Sequence, residues 1–584
     1  MEKQRHSLSH IMALVVREKW PKVKLGIGPA TETGFYYDFD LPEKFSPEDL
    51  ISIEKRMKEI IKENLVFERF EIDIKEAIKK EKARKEIYKV ELLKELEKEG
   101  EKKVSYYRIG SFEDLCKGPH LDSSGQINPE SFKIDKIAGA YWRGDEKNKM
   151  LTRIYGLSFN TKKELDDHLI MLKEAEERDH RKISKEMDLF SLSEKVGPGL
   201  ILWHAKLSKT REVLETWWRR IHRENNYDYL YTPHIGKATL WKESGHLDFF
   251  KDSMFPALID KETKEEYYVK PMSCPFHVEI YKSRKRSYKE LPLRWNELGT
   301  CYRYEKSGEL HGMARPRGFT QDDAHVICTE DQFKREYQKV VDLTLKVFDC
   351  FGFKKFKYYL AVRDPKEKGK YVGDTKIWDI AEKTIKEILD EKKIEYELEE
   401  GGAKFYGPAL DIKIFDSIGR EWQCPTIQLD MNLPSKFGMS YIGPDGNEHT
   451  PIMIHRTIFG SMERFITILI EHYVGCFPLW LAPVQVKLLP ISSKHISFCQ
   501  EIKDELTGKD FRVEIDETDE NINNKVRKAS QEKVPYVLVI GDKEISSNKL
   551  NIRERGKNET KEESKEDFYQ RIEKENQIKI PRAI

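Results

Sequence analysis

Two groups of histidine and cysteine side chains open the analysis, because imidazole and thiolate are preferred ligands of Zn²⁺. In the first group, His6 and His10 are four residues apart in HSLSH, and Cys116 and His120 repeat that spacing in CKGPH. Residues at this spacing share one face of a helix, so His6 and His10 are expected to project together. The group predicts either a zinc site or a metal-free hydrolytic pocket that positions water, and ordinary surface histidines are the plainer alternative. HSLSH lacks the glutamate of the metalloprotease motif H-E-x-x-H.

The second group consists of Cys274 in KPMSCPFH, His325 in TQDDAH and His455 in PIMIHR. Their separations match no zinc-finger spacing, so unrelated roles in the core are the alternative to a shared site. If the three converge, they form the three-ligand kind of zinc site, which leaves a fourth position open for substrate.

Arginines near the middle of the chain predict a site for phosphate groups. Arg303 follows a strand-like segment, Glu305 lies two residues on, and a turn, SGELHG, precedes Arg315. On a strand, Arg303 and Glu305 would point to the same face, and a hairpin would bring Arg303 and Arg315 to one pocket. Arginine suits phosphate because its planar fork gives two charge-assisted hydrogen bonds. Arg464, with Gly460 before it, opens a further helical run, and surface salt bridges are the alternative interpretation.

Length and composition limit the classes of protein that these groups can belong to. The chain of 584 residues predicts roughly three or four domains. Its net charge of +1 predicts no nucleic-acid partner from bulk charge, so any RNA-binding surface must be local. Eight irregularly spaced cysteines fit a reducing cytoplasm. We expect a cytoplasmic protein without a membrane partner, because we find neither a signal peptide nor an apolar run near 18 residues.

The texture of the sequence changes along the chain and indicates where domains meet. Thr161–Lys185 has helical periodicity and many charges, which predicts one long helix linking two domains. From Phe190 to about Leu481 the chain is richer in aromatic residues and strand-like segments. The strand patterns VQVKLLPI and KVPYVLVIG then alternate with helical stretches, which predicts a small α/β domain.

These stretches together resemble a known family. The R-x-E hairpin is similar to motif 2 of class II aminoacyl-tRNA synthetases, the segment Gly460–Phe465 to motif 3, and YDYLYTPHI to motif 1, which forms the dimer interface in that class. Longer strings resemble threonyl-tRNA synthetases: KPMSCPFHV, RGFTQDDAH, FYGPALDI, WQCPTIQLD and PIMIHR. The strings HSLSH, CKGPH and AGAYWRGDEKNKMLTRIYG resemble the editing domain of the same family.

The resemblance implies an α+β multidomain fold whose catalytic core is the antiparallel sheet of class II synthetases. It implies an N-terminal α+β editing domain and a C-terminal α/β anticodon-binding domain. The expected boundaries are an editing domain at 1–160, a linker helix at 161–184, a catalytic domain at 185–480 and an anticodon-binding domain at 481–584. The small β-grasp unit with which many of these enzymes begin is expected to be missing, since His6 stands almost at the start.

The activity implied is ligation of L-threonine to tRNA(Thr) in two steps through threonyl-adenylate. Hydrolytic editing of seryl-tRNA(Thr) in the N-terminal domain would accompany it, because serine differs from threonine by one methyl group, worth roughly 1–3 kcal/mol of discrimination. The implied cofactors are one Zn²⁺ per subunit in the catalytic domain and Mg²⁺ with ATP. The implied partners are tRNA(Thr), ATP, L-threonine and a second copy of the chain in a homodimer.

Site residues follow from the resemblance position by position. The zinc ligands would be Cys274, His325 and His455. The ATP-binding residues would be Arg303, Glu305, Arg315, Phe319, Gln423 and Arg464. The catalytic residues would be Arg303, Arg464 and His246, and the residues around threonine Gln321, Asp323 and Tyr406. The editing residues would be His6, His10, Cys116, His120, Lys89 and Asp114, and the anticodon contacts Glu544 and Arg553.

Two other readings of the motifs remain open at this point. One is a prolyl or seryl enzyme, which would share the three class II motifs but not the TQDDAH, Cys274 and PIMIHR set. The other is a non-catalytic regulator that binds tRNA, or a tRNA-like RNA, with a retained synthetase scaffold. The sequence also departs from the family in LAVRDPKEKGKYVG, where S-T-R-P is more usual, and in the ETDE run at 517–520 of the C-terminal domain.

Overall fold

Two compact units make up the chain, Met1–Glu174 and Ala175–Ile584. The structure is a computed structural model, and it describes residues 1–41, 45–145, 147–364, 366–367, 370–371, 375–404, 406–430, 433–557 and 559–577. Among these residues, none of the helices has the length and apolar character needed to cross a membrane. The domain boundaries expected at residues 160, 184 and 480 stay a prediction.

The first unit contains two antiparallel sheets and helices that pack on them. Its helices are α1 (Glu2–Lys19), α2 (Pro47–Glu63), α3 (Ile74–Ala83), α4 (Ile87–Lys98) and α5 (Lys162–Glu177), the last of which runs on into the second unit. Its strands are β1 (Lys24–Leu25), β2 (Gly34–Asp40), β3 (Phe67–Asp73), β4 (Lys103–Ile109), β5 (Phe112–Leu115), β6 (Phe132–Tyr141) and β7 (Met150–Ser158). The strand orders are β1-β2-β7-β6 and β3-β4-β5.

Helix α1 is the central element of this unit because its sequence is apolar on almost every side after the first two turns. Leu8, Ile11 and Met12 are fully buried, in one cluster with residues of α2, β2 and β6. A helix buried on all sides is held by its neighbours, so the histidines of its first turns have a fixed direction. The α+β character expected of this part is therefore present.

The second unit is built on an eight-stranded sheet and a smaller five-stranded sheet. Its helices are α6 (His180–Met187), α7 (Ala205–Glu224), α8 (Ala238–Glu243), α9 (His246–Phe249), α10 (Cys274–Lys282), α11 (Glu330–Cys350), α12 (Thr375–Glu391), α13 (Leu433–Lys436), α14 (Met462–Tyr473), α15 (Ile496–Thr507), α16 (Ile522–Gln531), α17 (Asp542–Ser547) and α18 (Lys565–Asn576).

Strands of this unit up to the end of the large sheet are β8 (Phe190–Ser191), β9 (Leu202–Trp203), β10 (Asp228–Tyr229), β11 (Ile235–Lys237), β12 (Leu258–Ile259), β13 (Glu266–Val269), β14 (Leu293–Tyr302), β15 (Gly318–Cys328), β16 (Phe356–Val362), β17 (Tyr396–Glu400), β18 (Ala409–Phe415), β19 (Glu421–Asp430), β20 (Tyr441–Ile442), β21 (Glu448–His449) and β22 (Ile452–Ser461). The later ones are β23 (Val486–Pro490), β24 (Val513–Ile515), β25 (Tyr536–Ile540), β26 (Lys549–Glu554) and β27 (Thr560–Ser564).

The large sheet has the strand order β10-β14-β15-β22-β19-β18-β16-β17 and is antiparallel except at its two outer pairs. One face is covered by α7, α11 and α14, whose buried side chains form the main core together with those of the sheet. At one edge, β17 carries the sequence YELEE, whose last four side chains are exposed. The antiparallel core expected of a class II synthetase is confirmed.

The five-stranded sheet has the order β24-β23-β25-β26-β27, with β23 parallel to both of its neighbours. Its two central strands, β23 and β25, are the buried runs VKLLP and YVLVI. Such runs are typical of parallel strands covered by helices, and the small α/β domain predicted from them is confirmed.

The single long helix predicted over Thr161–Lys185 is wrong, because two helices, α5 and α6, occupy this segment. Asp179 separates them: its carboxylate accepts a hydrogen bond from the backbone amide of Arg181 and caps the N-terminus of α6. An aspartate at this position satisfies a free amide of the next helix and so competes with a continuous helix.

Candidate active sites

The three widely separated residues of the second His/Cys group converge in the second unit. One donor atom from each of Cys274, His325 and His455 lies within 4.8 Å of the other two. The convergence follows from topology, because β15 and β22 are antiparallel neighbours with His325 opposite His455. Cys274 is the first residue of α10.

Both imidazoles are oriented by hydrogen bonds at their outer nitrogens. His455 Nε2 lies 2.9 Å from Asp430 Oδ2, so its Nδ1 faces His325 Nε2 at 3.0 Å. On the other side, His325 Nδ1 is 2.7 Å from His277 Nδ1, and His277 Nε2 is 3.3 Å from Glu297 Oε2. Bonds of this kind fix the tautomer of a metal-binding histidine.

This donor set fits Zn²⁺. Two nitrogens at zinc distance in a tetrahedral site would be about 3.3 Å apart, close to the 3.0 Å between His325 and His455. A thiol and two imidazoles whose outer nitrogens are held by Asp430 and by His277 match the preferred ligands of zinc and their usual surroundings. The residues present can therefore hold one zinc ion and leave a position open.

A cavity of about 450 Å³ lies beside these residues and contains most of the predicted substrate-binding side chains. The predicted site residues that line it are His246, Cys274, Arg303, Gln321, Asp323, Tyr406 and His455. Tyr406 donates a hydrogen bond of 2.5 Å to Gln428. Asp323 is 3% exposed, and its Oδ2 makes no hydrogen bond among the described residues. A buried carboxylate oxygen at a cavity wall is a ready acceptor for a hydroxyl or ammonium group.

His246 lies on the wall of the same cavity, at the start of α9. Its Nδ1 is 2.7 Å from the Ser244 hydroxyl, and its Nε2 is 3.3 Å from Met272 Sδ. Burial lowers the pKa of His246 to about 4, so the ring is neutral at neutral pH. A neutral imidazole can accept or donate a proton toward a bound hydroxyl.

The hairpin predicted around the R-x-E motif is formed by β14 and β15, joined by residues 303–317. Arg303 begins this connection and stacks near Phe319, with its guanidinium carbon 5.1 Å from the ring centroid. Arg315 lies on the connection, where Glu305 accepts from it at 2.9 Å and Glu309 at 2.8 Å.

Two details of this prediction are wrong. Arg303 and Glu305 do not share a strand face, because β14 ends at Tyr302 and the amide of Glu305 turns back to the carbonyl of Arg303 at 2.9 Å. Arg315 precedes the return strand, which begins at Gly318, and only Arg303 of the two arginines lines the described cavity. Carboxylates near Arg315 hold it on the outer side of the connection.

The third predicted arginine, Arg464, lies in the first turn of α14, directly after β22. Its Nε donates to the carbonyl of Ala314 at 3.2 Å, and one terminal nitrogen donates to the carbonyl of Gln423 at 3.2 Å. The side chain of Gln423 is exposed. Arg464 thus joins the 303–317 connection to β19.

The first His/Cys group also converges, within the first unit. His6 Nε2 and His120 Nε2 each lie 3.3 Å from Cys116 Sγ, and His10 and His120 have ring centroids 4.3 Å apart. His6 and His10 project from the same face of α1, as predicted, with ring centroids 5.3 Å apart. Ser7 lies 3.2 Å from the other nitrogen of His120.

A second layer of buried polar groups supports this cluster. Lys89 Nζ lies 2.6 Å from Asp114 Oδ1, and His10 Nε2 is 3.9 Å from Asp114 Oδ2. The hydroxyl of Tyr37 donates to Asp114 and accepts from Lys89. The buried Lys89 and Asp114 form an ion pair, which allows both charges to be buried at once.

The pKa values of the histidines and the cysteine in this cluster shift in the directions that favour their uncharged forms. Burial lowers the pKa of His6 and lowers the pKa values of His10 and His120 much further. Burial also raises the pKa of the Cys116 thiol to about 12. At neutral pH the cluster therefore consists of uncharged imidazoles and an uncharged thiol, which can hold water by hydrogen bonds.

The two predicted anticodon contacts lie in the small sheet region. The carboxylate of Glu544 is 7% exposed and accepts a hydrogen bond of 2.8 Å from the amide of Gly541, so it caps α17. Arg553 lies on β26, opposite Val537 of β25. The roles of both residues in anticodon binding stay predictions.

Several functional neighbours were missed at the level of sequence. His277 and Asp430 support the imidazoles of the second unit, and Tyr37 and Ser7 support the cluster of the first. Ser7 and His277 stood within the quoted motifs, and His277 follows Cys274 by three residues on a helix, a spacing that could have marked it. Asp430 ends the quoted string WQCPTIQLD, but nothing there showed that it would contact His455, and Tyr37 lay outside the quoted motifs.

Comparison with known families gives matches to three parts of the chain. The tRNA synthetase class II core domain (G, H, P, S and T) matches residues 257–473. The anticodon binding domain matches residues 485–575, and the threonyl and alanyl tRNA synthetase second additional domain matches residues 104–155.

Curated relatives match over almost the whole chain. A threonine–tRNA ligase of Sulfurihydrogenibium sp. (strain YO3AOP1) is 49% identical over 575 residues, which cover 98% of this chain and 88% of that protein. A threonine–tRNA ligase of Borrelia turicatae (strain 91E135) is 48% identical over 558 residues, covering 95% and 93%.

Solved structures of similar fold include the RNA binding domain of threonyl-tRNA synthetase from Cryptosporidium parvum Iowa II. It is 33% identical with a TM-score of 0.64, and the match covers 69% of this chain and 99% of that one. A putative threonyl-tRNA synthetase, ThrRS-1, from Aeropyrum pernix is 27% identical with a TM-score of 0.61, covering 70% and 98%.

Proposed function

The chain belongs to the threonine–tRNA ligase family, and we propose that it activates L-threonine as threonyl-adenylate and then transfers the threonyl group to tRNA(Thr). The family assignment makes it an enzyme with a class II catalytic core, an anticodon-binding domain and an editing-type additional domain. The observation that carries the two-step proposal is the cavity lined by Arg303 together with Cys274 and His455, which form one donor group with the buried His325.

Activation requires that two anions meet, the carboxylate of threonine and the α-phosphate of ATP, which enters with Mg²⁺. We assign to Arg303 and Arg464 the stabilisation of charge on the α-phosphate oxygens in the transition state. Phe319, stacked beside Arg303, offers its ring to adenine, with Glu305 and Gln423 near the base. Arg315 is half exposed, and its guanidinium pairs with the carboxylates of Glu305 and Glu309, which the γ-phosphate can replace as its partner.

Selection of threonine over valine is the harder task, because an apolar pocket separates such isosteres by only about 100-fold. In this proposal Cys274, His325 and His455 hold one Zn²⁺ per subunit, which when bound offers an open position to the amino and hydroxyl groups of threonine. The free oxygen of Asp323 accepts a hydrogen bond from the substrate hydroxyl. Gln321 and Tyr406 line the same wall and complete the contacts around the amino acid.

Replacement of a zinc ligand tests this proposal. Cys274→Ser is expected to lose zinc, measured by metal analysis, and to lose threonine-dependent exchange of pyrophosphate into ATP. A matched control is Cys499→Ser, since Cys499 is a buried cysteine of α15 in the same unit. If Cys274→Ser retained both zinc and threonine activation, the group of Cys274, His325 and His455 would not be the one that selects threonine.

The cluster in the first unit is proposed to hydrolyse seryl-tRNA(Thr) without a metal. Its uncharged histidines and thiol can position a water molecule, and Lys89 paired with Asp114 keeps the site polar. Serine retains the hydroxyl that threonine offers and lacks only a methyl group, so the first site alone separates the two poorly. A zinc ion in this cluster is the alternative, because the four residues also have the right donor atoms.

Removal of the editing group should affect proofreading alone. Cys116→Ala is expected to leave threonylation unchanged while seryl-tRNA(Thr) accumulates, measured by deacylation of preformed seryl-tRNA. Deleting residues 1–160 should have the same effect, and unchanged fidelity would refute the assignment. Metal analysis of Cys116→Ala separates the two alternatives, because zinc bound in the first-unit cluster would lose one of its four ligands, whereas a metal-free cluster would leave the zinc content unchanged.

A rival assignment is decided by the amino acid that drives ATP–pyrophosphate exchange. Threonine dependence would support the proposed reaction, proline or serine dependence would support a different class II enzyme, and the absence of exchange would support a regulator.

For the assembly we propose a homodimer through the segment that begins at β10, by resemblance to motif 1, and a cytoplasmic location. Recognition of tRNA(Thr) would use the five-stranded sheet region, with Glu544 and Arg553 as the proposed base contacts.

A further inference from the structure

The connection between β14 and β15, residues 303–317, carries two of the proposed ATP-binding arginines and is held by hydrogen bonds from several other segments of the second unit. Arg317 donates its amide to the carbonyl of Gly199 at 2.6 Å. Arg464 donates to the carbonyl of Ala314 at 3.2 Å. At the start of the connection, Tyr304 donates its amide to the carbonyl of Ser253 at 2.8 Å, and Arg303 Nε donates to the carbonyl of Pro271 at 3.4 Å. Near its middle, the amide of Met313 donates to His180 Nε2 at 3.3 Å.

His180 is the first residue of α6, and its side chain is fully buried. Its Nδ1 lies 2.8 Å from Glu471 Oε1, on α14. Because Nε2 has to accept the amide proton of Met313, the ring proton must be on Nδ1, where Glu471 accepts it. One tautomer of one imidazole therefore links the 303–317 connection to the helix that carries Arg464.

The same residues are close enough to hold a metal ion, since donor atoms of Asp179, His180 and Glu471 lie within 4.8 Å of one another. Two arginines argue against that use. Arg181 pairs with Asp179 at 2.5 Å, and Arg420 pairs with Glu471 at 2.6 Å, so both carboxylates are already neutralised. The cluster of Asp179, His180 and Glu471 is better explained as a hydrogen-bonded support for the 303–317 connection.

Gly312 shows how closely the connection lies on the ring. Its φ of 49° is in the left-handed region that favours glycine, and a Cβ atom at this position would collide with His180 Nε2. The backbone at 312–313 is thus seated on His180, and Met313 is itself fully buried.

We propose that His180 is a positioning residue for ATP, acting through the backbone of Met313 to hold the 303–317 connection in the conformation that receives the nucleotide. This inference rests on the proposed function, in which Arg303 and Arg315 contact ATP. His180 is absent from the described cavity wall, so it acts without touching the substrates.

Two substitutions at one position separate the two hydrogen bonds. In His180→Asn the side-chain amide of the asparagine reaches the position of Nδ1 and can still donate to Glu471. It is too short to accept a hydrogen bond from the backbone amide of Met313. In His180→Gln the amide oxygen reaches the position of Nε2 and can accept from Met313. We expect His180→Asn to raise KM for ATP about tenfold, the factor associated with one hydrogen bond, while KM for threonine changes less than about twofold. His180→Gln should stay near the wild-type KM for ATP.

Exchange kinetics on the full-length enzyme provide the test, with thermal unfolding of each variant recorded alongside. Arg303→Ala serves as the reference for the proposed function, and His449→Asn, at an exposed histidine paired with Asp445, serves as the control. A purely structural role predicts that both His180 variants lose stability and change both KM values equally, and that result would overturn the inference. So would an unchanged KM for ATP in His180→Asn. If Arg303→Ala leaves KM for ATP and kcat unchanged, it is the proposed function that fails.

Discussion

At the scale of single residues, the two His/Cys groups are built from the same two residue types but differ in what touches them. In the second unit, Asp430 bonds the outer nitrogen of His455, and His277 bonds that of His325. In the first unit the rings of His6, His10 and His120 lie against one another, and His6 and His120 share the Cys116 thiol. Fixed inner nitrogens suit a metal ion, whereas uncharged rings in mutual contact suit a water molecule.

The support that Asp430 gives to His455 leads to a prediction about metal affinity. Asp430→Asn should weaken zinc binding by about 10–100-fold, the usual effect of removing an outer partner of a ligand. Competition with a chromophoric chelator measures the affinity. Asp445→Asn is the matched control, because Asp445 contacts His449 Nε2 at 2.9 Å on an exposed surface. Equal zinc affinity in the two variants would contradict the prediction.

The buried carboxylate of Glu463, which belongs to neither His/Cys group, gives a prediction about how stability depends on pH. Burial raises the pKa of Glu463 to about 7, opposed by Arg211 at 3.6 Å and by the amide of Thr320 at 2.8 Å. Because the folded pKa lies above the ordinary 4.5, the stabilisation is present below pH 4.5 and is lost as pH rises through 7. The loss amounts to at most about 3 kcal/mol.

Glu463→Gln should remove this part of the pH dependence. The free energy of unfolding, measured by urea denaturation at pH 5 and pH 8, should fall less between the two values in the variant than in the wild type. Glu224→Gln, at a partly exposed position on α7 where the carboxylate pairs with Arg220, should behave like the wild type. Parallel pH profiles for wild type and Glu463→Gln would show that Glu463 does not titrate in this range.

At the scale of secondary structure elements, the residue types on β14, β15 and β22 were predictable, but their register was not. The R-x-E motif and the turn SGELHG predicted the hairpin, and the α/β pattern of β23 and β25 predicted the small sheet. Nothing in the sequence showed that the pairing of β15 with β22 shifts between Gln321 and Asp323. The break between α5 and α6 at Asp179 could have been found, since aspartate is a common cap.

Gly460 is the residue that allows β22 to turn into α14. Its φ is 75°, and an added Cβ would lie 3.1 Å from the carbonyl oxygen of Cys424. Gly460→Ala should cost about 1–2 kcal/mol in stability and raise KM for ATP, because the strained junction displaces Arg464. Gly446→Ala has a similar φ of 79° with no atom within 4 Å, so it should cost stability without changing KM. Equal KM values for the two variants would count against the proposed role of this junction.

At the scale of the whole molecule, the two units have separate hydrophobic clusters among the described residues. The largest cluster of the first unit runs from Leu8 to Ile154, and that of the second runs from Ile183 to Ala482. The motifs predicted two chemical sites in separate parts of the chain, and each group lies within one unit. What the sequence left open was the supporting layer, because residues such as Tyr37 and Asp430 reach the sites only through long-range pairing.

The proposed homodimer makes a prediction at this scale. Tyr231 follows β10 and is 79% exposed, so a second copy that pairs along the segment beginning at β10 would cover its ring. Tyr231→Glu should shift the protein from dimer to monomer in sedimentation experiments by placing a charge in the interface. Leu398→Glu, at a 52% exposed position on β17, should leave the assembly state unchanged. A monomeric wild type, or a Tyr231→Glu variant that remains dimeric, would exclude this interface.

The acidic strand β17 at one edge of the large sheet has a consequence for crowded solutions. Its three exposed glutamates meet one another if two copies approach edge to edge, and like charges opposite each other are repelled. Fibril growth by sheet extension is therefore blocked on this side for as long as the carboxylates are ionised. Acidification would remove that barrier, so cross-β aggregation of this enzyme should begin at β17.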